Sequence, residues 1–450
     1  MDVAALVAVV VISLAVIFVP PFADAQPKEP SRGGPSQEAP IVQPAQTPSS
    51  PAAANATTAT QDQTTIDTRA AFSRAVAEKT ELRFGLVAPF TGANREFGRQ
   101  LSLGVETAFN VANDAGGIGA YRLKLITADD GYEPARTPEA VKRLAEQERV
   151  VGFVANFGTA TAAAVLPWVL DHKLLFLGAR SGASLLRSVP PDRYVFNFRP
   201  SYAEETEAVI RYLVTVRGLK PREIVVFAQD DPLGEAGYAG VAKALRGLQT
   251  RYDEPPLKLT YKRNTIDVAE AVAALRARKT PTRAVVMSAV YRPVAEFIKL
   301  TRPLFPGMIY TNVSGVGSTA LADELVLAGP KLAEGVIVTQ VVPAVNGHSK
   351  GVLDYRAALA RYFPGEQPDY VSLEAYVAAK ILIEGIRRAG AAPGSAIDGD
   401  RLADALDGLG KFDIGLGTPL TLSASEHQAS HRVWGTQLDA AGKYQAIDLQ

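Results

Sequence analysis

The stretch VVGFVANFGTATAAAVLPWVLDHKLLFLGARSGASLL (residues 150–186) decides the fold. Its first residues, Val150–Ala155, form a short apolar run bounded by a turn signal, which predicts a buried strand. Thr159 or Thr161 can cap a helix, and Leu174–Leu177 then predicts a second buried strand. The order strand, turn, helix, strand is typical of an open α/β sheet.

Both predicted strands end in turns of small and polar residues, Phe157–Thr159 after the first and Gly178–Gly182 after the second. Ligands of open parallel sheets bind outside such carboxyl ends of strands. The start of a helix adds free backbone N–H groups and a positive dipole end, which suit a carboxylate. These turns are also compatible with ordinary strand-to-helix connections, so the rest of the chain must decide between the two interpretations.

Strands alternate with helices from residue 82 to the end of the chain, which predicts βαβ crossovers and parallel sheets. These units are too many for one sheet of ordinary size. We therefore predict an α/β fold of two doubly wound lobes. A cleft between two lobes is a favoured place for a ligand.

The composition excludes several classes of protein. Lysine plus arginine equals aspartate plus glutamate, 47 each, so no net field attracts nucleic acid or an anionic membrane. The chain has no cysteine, which excludes disulfides, thiolate metal sites and a cysteine nucleophile. Its 450 residues, 47% of them hydrophobic, are enough for two cores plus appendages.

The N-terminal residues indicate export. Residues 3–19 are apolar apart from Ser13, a run shorter than the roughly 20 residues of a spanning helix, and Ala23-Asp-Ala25 has the form of a signal cleavage site. We predict a signal peptide over residues 1–25; because Met1-Asp2 supplies no basic residue, an uncleaved membrane anchor is the alternative. Residues 26–80, rich in Pro, Ala and Thr, predict a disordered linker.

No catalytic constellation is evident in the sequence. The chain has no Gly-x-Ser-x-Gly elbow and no phosphate loop, and its four histidines include His427 and His431 in a segment between predicted strands. The pairs Asp129-Asp130 and Asp230-Asp231 lie at strand ends, where turn formation and capping are their expected roles. We therefore expect a binding protein with no catalytic residue, metal or cofactor; an α/β enzyme that uses the aspartate pairs is an alternative.

Several motifs follow one another along the chain: Gly85–Gly92 with Phe97-Gly98, Asp129–Pro134, the stretch quoted above, Gln229–Gly234 and Glu334–Thr339. In the order and spacing of these motifs, residues from about 82 to 450 resemble the periplasmic solute-binding proteins of the leucine/isoleucine/valine-binding type, which feed ABC importers. The resemblance implies two α/β lobes joined by three crossovers and closing on a ligand in the cleft. It places lobe 1 at 82–200 plus 342–420 and lobe 2 at 201–341 plus 421–450.

In lobe 1, the resemblance implies a site for the ligand carboxylate. Thr159 corresponds to the family's hydroxyl donor, and Phe97 to an aromatic wall of the pocket. The loop that ends at Gly182 corresponds to the strand-end loop whose backbone groups contact the ligand. The lobe 1 candidates are Phe97, Gly158, Thr159, Ala179, Arg180, Ser181 and Gly182.

In lobe 2, Tyr291 corresponds to a pocket tyrosine of the family, and Leu233 stands where a second aromatic residue is usual. Ser314 stands where the amino-acid binders have an acidic residue that pairs with the ligand ammonium. Arg180 lies in the lobe 1 loop at a position where the family usually has a small residue. A buried cation without a matching buried anion would favour an anionic ligand, so we hypothesise a carboxylate without an ammonium group.

The resemblance also implies the protein's partners. They are a small-molecule ligand, an amino acid or other carboxylate, and the permease of an ABC importer; nucleic acid is not expected. We expect a monomer in the periplasm or at the cell surface. A sensor whose lobes dock on a membrane receptor would use the same cleft and is the alternative.

Overall fold

The computed structural model describes residues 80–248, 255–390 and 396–449. The predicted signal peptide or anchor and nearly all of the predicted linker lie outside these ranges. Within them, no helix combines the length and the apolar character needed to cross a bilayer.

A five-stranded parallel sheet forms the centre of lobe 1. Its strands and first helices are β1 (Thr80–Ala88), α1 (Arg95–Asp114), β2 (Tyr121–Asp129), α2 (Thr137–Glu146), β3 (Gly152–Val154), α3 (Thr159–Asp171), β4 (Leu175–Leu177) and β5 (Val195–Phe196). The strand order is β2-β1-β3-β4-β5. Every residue of β3 and β4 is buried, as expected for strands covered on both faces, and this is why their sequences are uninterrupted apolar runs.

Lobe 2 repeats the alternation. Its first elements are α4 (Tyr202–Arg211), β6 (Ile224–Gln229), α5 (Pro232–Gly247), β7 (Lys258–Tyr261), α6 (Ala269–Ala277), β8 (Ala284–Ser288), α7 (Tyr291–Thr301), β9 (Ile309–Asn312), α8 (Ser318–Ala328), α9 (Pro330–Ala333) and β10 (Ile337–Gln340). The sequences of β6 and β8 are again mostly apolar, and strands β6 to β9 pair in parallel. Ser201 begins α4 with a capping box, in which Glu204 returns a hydrogen bond to the backbone of Ser201.

The chain then returns to lobe 1 before it finishes in lobe 2. The returning elements are α10 (Lys350–Tyr362), α11 (Tyr370–Ala389), α12 (Gly399–Asp407), β11 (Gly410–Phe412) and β12 (Leu420–Leu422), and the last strands are β13 (Trp434–Leu438) and β14 (Tyr444–Ile447). Helix α11 packs closely on α1 because Gly104 has no side chain: a Cβ there would lie 2.1 Å from the Ser372 carbonyl oxygen. The lobe 2 sheet has the order β14-β13-β10-β9-β8-β6-β7, with β13 and β14 antiparallel.

The chain therefore crosses between the lobes three times, after β5, after β10 and between β12 and β13. This confirms the predicted α/β fold of two lobes joined by three crossovers. The exact residue limits of the lobes stay a proposal; strand β12 spans the limit predicted at residue 420 and pairs with β11.

Candidate functional site

The start of helix α3 is shaped by a glycine. Gly158 is the N-cap residue, with φ 100°, and no side chain caps the helix. A Cβ at Gly158 would lie 2.6 Å from a ring carbon of Tyr132, so both the backbone conformation and the space require glycine. The predicted capping role of Thr159 or Thr161 is thus wrong: Thr159 is the first helical residue, and the Thr161 hydroxyl donates to the Phe157 carbonyl. No side chain caps the first backbone N–H groups of α3.

A pair of hydroxyl groups lies beside this helix start. Thr159 Oγ1 and Ser181 Oγ are 2.8 Å apart, and both residues are buried. Ser181 belongs to the loop after β4, which packs tightly: Gly178 has φ 64°, and a Cβ at Gly182 would lie 2.6 Å from the backbone nitrogen of Tyr202. Ala179, also buried, lies between them. The structure therefore brings together the hydroxyl and loop residues that the sequence placed in one site.

Arg180 has a buried anionic partner, which corrects the sequence-based argument. Its Nη1 donates to Glu374 of α11, and its Nη2 donates to the Ser314 carbonyl oxygen in lobe 2 at 2.9 Å. The guanidinium carbon also lies 5.6 Å from the centre of the Phe97 ring. Glu374 is 194 residues away along the chain, and no sequence pattern links the two. The hypothesis of an unmatched cation was wrong in its premise.

A second buried ion pair continues from the first. Arg199 donates to Glu205 at 2.9 Å, and its Nη1 lies 3.4 Å from Glu374. Burial by itself would lower the pKa of the Arg199 guanidinium, but the charges of Glu374 and Glu205 outweigh it and raise that pKa. Arg180, Arg199, Glu205 and Glu374, here called the ionic cluster, balance two positive against two negative charges, and sequence reasoning missed three of the four.

Ser314 belongs to the surroundings of this cluster. Its backbone nitrogen donates to Glu205 at 2.7 Å and its hydroxyl donates to the same carboxylate at 3.0 Å. Glu205 of α4 thus places a buried carboxylate beside position 314, where Ser314 donates to it. The turn continues to Gly317, with φ 82°, where a Cβ would lie 2.7 Å from the Phe97 ring.

Aromatic rings connect the two lobes at this point. Phe97 stacks on Phe157 with ring centres 4.3 Å apart, and its ring centre is 5.5 Å from that of Tyr291 in lobe 2. The Tyr291 hydroxyl donates to the Ala93 carbonyl oxygen of lobe 1 at 2.6 Å. Leu233 is buried at the start of α5 and belongs to the same apolar core cluster as these rings.

Another rim of the lobe interface is held by polar contacts. Gln229 of lobe 2 donates to the Tyr132 hydroxyl at 2.9 Å. Asn264 donates to the Gly131 carbonyl oxygen at 3.1 Å and accepts from Asn94 at 2.8 Å. These polar contacts therefore extend the direct contact between the lobes beyond the aromatic rings. The sequence carried no signal for Asn264 beyond its position in a polar turn.

The other groups considered as chemical candidates have structural partners. Asp129 accepts from the backbone of Phe90 and Asp130 from that of Tyr132, as expected for turn-forming residues. Asp231 accepts from the Leu233 backbone nitrogen at the start of α5. His427 lies between the Val195 carbonyl oxygen and Asp407. Over the described ranges, no group of three or more His, Asp or Glu side chains is arranged to hold a metal ion.

Comparison with known proteins identifies the family. A model of the periplasmic binding protein family matches residues 81–443, so the chain belongs to that family. An amino acid binding protein of Pseudomonas aeruginosa is 24% identical over 310 residues, which is 68% of this chain and 78% of the relative. A Leu/Ile/Val-binding protein homolog of Brucella melitensis is 24% identical over 331 residues, which is 73% of this chain and 85% of the relative, and it confirms the resemblance to that type.

Solved structures share the fold. A possible leucine/isoleucine/valine-binding protein from Rhodopirellula baltica SH 1 is 37% identical, with a TM-score of 0.77, over 83% of this chain and 97% of that one. A solute-binding protein of an ABC transporter from R. palustris, in complex with benzoate, is 17% identical, with a TM-score of 0.69, over 82% of this chain and 96% of that one. The second likeness concerns the fold alone.

Proposed function

We propose that this protein is the extracytoplasmic solute-binding component of an ABC importer, which captures a small carboxylate when its two lobes close. The observation that carries the proposal is the buried Thr159–Ser181 hydroxyl pair at the uncapped start of α3, next to Arg180. Hydroxyl donors, free backbone N–H groups and a positive helix end all favour a carboxylate.

The contacts between the lobes support capture by closure. Tyr291 and the Ser314 turn of lobe 2 reach Ala93 and Arg180 of lobe 1, so the two walls of the site meet only when the lobes are together. A ligand held by Thr159 and Ser181 would then be covered by Tyr291 and the aromatic rings. We expect binding without turnover, in a monomer outside the cytoplasm.

The proposal is tested by isothermal titration of the purified protein with leucine, phenylalanine and benzoate. We expect at least one carboxylate to bind, and the Ser181→Ala variant to bind it more weakly. Native mass spectrometry of the protein as isolated identifies a retained solute. A retained solute that has no acidic group, together with silence toward all three acids, would contradict the proposal.

A further inference from the structure

The loop that follows β4 carries the Ser181 hydroxyl of the candidate site, and its residues 178–183 are here called the site loop. Arg187 Nη1 donates to the carbonyl oxygen of Ser181 at 3.2 Å and to that of Ala183 at 3.0 Å. The backbone nitrogen of Tyr202, the first residue of α4, donates to the carbonyl oxygen of the intervening glycine at 2.7 Å. The backbone of the site loop is therefore held by groups that lie outside the candidate site.

Two of the three crossovers between the lobes lie side by side and form a short parallel ribbon. The Asn197 nitrogen donates to the His427 carbonyl oxygen at 2.7 Å, and the Ala429 nitrogen donates to the Asn197 carbonyl oxygen at 2.8 Å. Residues 197–199 and 427–430 are here called the hinge ribbon. Because both strands of the ribbon connect lobe 1 with lobe 2, a change in the angle between the lobes must bend or displace them.

Arg187 contacts both strands of the hinge ribbon as well as the site loop. Its Nη2 donates to the Arg199 carbonyl oxygen at 2.9 Å, and its Nε donates to Gln428 Oε1 at 2.6 Å. Every acceptor described for this guanidinium is a neutral oxygen, and all except Gln428 Oε1 are backbone carbonyls. Because a guanidinium presents its donors in a rigid plane, these bonds fix the position of the site loop relative to the ribbon.

The hydrogen bonds continue from the ribbon into lobe 2. The side-chain nitrogen of Gln428 donates to the Glu204 carboxylate at 3.0 Å. The same carboxylate accepts from the Ser201 backbone nitrogen at 2.6 Å and so completes the capping box of α4. A continuous series of hydrogen bonds therefore runs from the Ser181 carbonyl oxygen through Arg187 and Gln428 to the first turn of α4.

We infer that Arg187 is a positioning residue that couples the ligand site to the hinge. A ligand that binds the Ser181 hydroxyl stabilises one conformation of the site loop, and through Arg187 that conformation stabilises the hydrogen bonds of the hinge ribbon. This inference rests on the proposed function for the place of the ligand. It adds the residue through which binding in lobe 1 favours closure. If Arg187 supported only its own loop, losing it would leave the ribbon unchanged.

The first test needs no ligand and measures hydrogen–deuterium exchange of the whole protein. Arg187→Lys keeps the positive charge, but one ammonium cannot reach acceptors that lie in several directions, and Arg187→Met removes the charge as well. In both variants the Asn197 and Ala429 amides of the hinge ribbon should exchange at least about tenfold faster than in the wild type. Unchanged exchange of these amides in both variants would overturn the inference.

Two further variants support this test. Arg302→Met removes another partly buried guanidinium, at the end of α7, and should leave the ribbon amides unchanged. Gln428→Met interrupts the series of hydrogen bonds one residue beyond Arg187 and should also speed exchange of the ribbon. Should neither Arg187 variant fold, unchanged ribbon exchange in Gln428→Met would overturn the inference.

The second test measures the coupling itself, with whichever of leucine, phenylalanine and benzoate binds. At saturation, that acid should slow exchange of the ribbon amides at least about tenfold in the wild type. In Arg187→Lys, also at saturation, it should slow exchange of the site loop but leave the ribbon within about twofold. Equal protection of the ribbon in both proteins would overturn the inference and leave the proposed function standing. Silence toward all three acids, with a non-acidic solute retained on isolation, would contradict the proposed function, and the exchange of the ligand-free variants then decides the role of Arg187.

Discussion

The two walls of the site are built from the same kind of element, a turn after a parallel strand, yet they do different work. The lobe 1 turns present the start of α3, the Thr159 and Ser181 hydroxyls and Arg180, all of which donate hydrogen bonds. The lobe 2 turns present the Tyr291 ring and a small-residue turn ending at Gly317, which contact lobe 1 itself. Under the proposed function, lobe 1 recognises the charge of the ligand, while lobe 2 supplies shape and closure.

We expect Gly317→Val to have the largest effect on ligand affinity, because it alters the lobe 2 turn that lies against lobe 1. A side chain there would meet Phe97 at 2.7 Å and would have to adopt φ 82°. We expect ligand affinity to fall by more than about 100-fold, measured by titration, with scattering showing an open molecule. Gly307→Val is the matched control, since no atom lies within 4 Å of a Cβ at that lobe 2 position. Equal affinities in the two variants would show that closure does not depend on this turn.

Thr159→Ala removes a hydroxyl group from the lobe 1 wall of the candidate site. Losing a hydrogen bond to a charged group weakens binding by roughly 1–3 kcal/mol. The variant should fold normally, because Thr159 does not cap α3. Thr215→Ala, which removes an exposed hydroxyl of lobe 2, is the control. An unchanged dissociation constant in Thr159→Ala would place the ligand carboxylate elsewhere.

Tyr132→Phe sharpens the comparison by removing one contact between the lobes and leaving the ring in place. Its hydroxyl accepts from Gln229, and a neutral hydrogen bond of this kind contributes about 0.5–1.5 kcal/mol. Affinity should fall by about two- to tenfold, chiefly through faster ligand release. Tyr362→Phe, which loses a hydrogen bond within lobe 1, should leave affinity unchanged. A larger loss in the control than in Tyr132→Phe would contradict a role for this contact in closure.

The last prediction concerns stability at alkaline pH, not ligand affinity. Burial raises the pKa of the Tyr355, Tyr370 and Tyr376 phenols, all in lobe 1, to about 12. The unfolded chain loses these protons near pH 10, so above that pH it binds fewer protons than the folded protein, and the free energy of unfolding falls as pH rises. Urea unfolding at pH 9, 10 and 11 should show this fall, and Tyr355→Phe should make it shallower. If the free energy of unfolding fell equally steeply with pH in the variant, Tyr355 would not contribute to the alkaline loss of stability.

Much of the architecture was predictable because it rests on local patterns. The uninterrupted apolar runs of β3 and β4 and the small-residue turns after them indicated a covered parallel sheet with a site at its edge. Thr159 and Ser181 were named as candidates from the family resemblance of the same stretch. The N-cap residue of α3 could not be predicted, because the requirement for glycine at position 158 depends on the Tyr132 ring that packs against it.

The sequence by itself determined the two-lobed α/β fold, the absence of cysteine chemistry and the turns that carry the site, since periodicity and turn residues act over a few positions. Only the tertiary structure decided which charges meet. Arg180 pairs with Glu374 across 194 residues, and Ser314 lies beside Glu205 across 109. Such pairings depend on three crossovers that bring distant segments to one place. Which charged groups meet at the candidate site is therefore a property of the folded molecule.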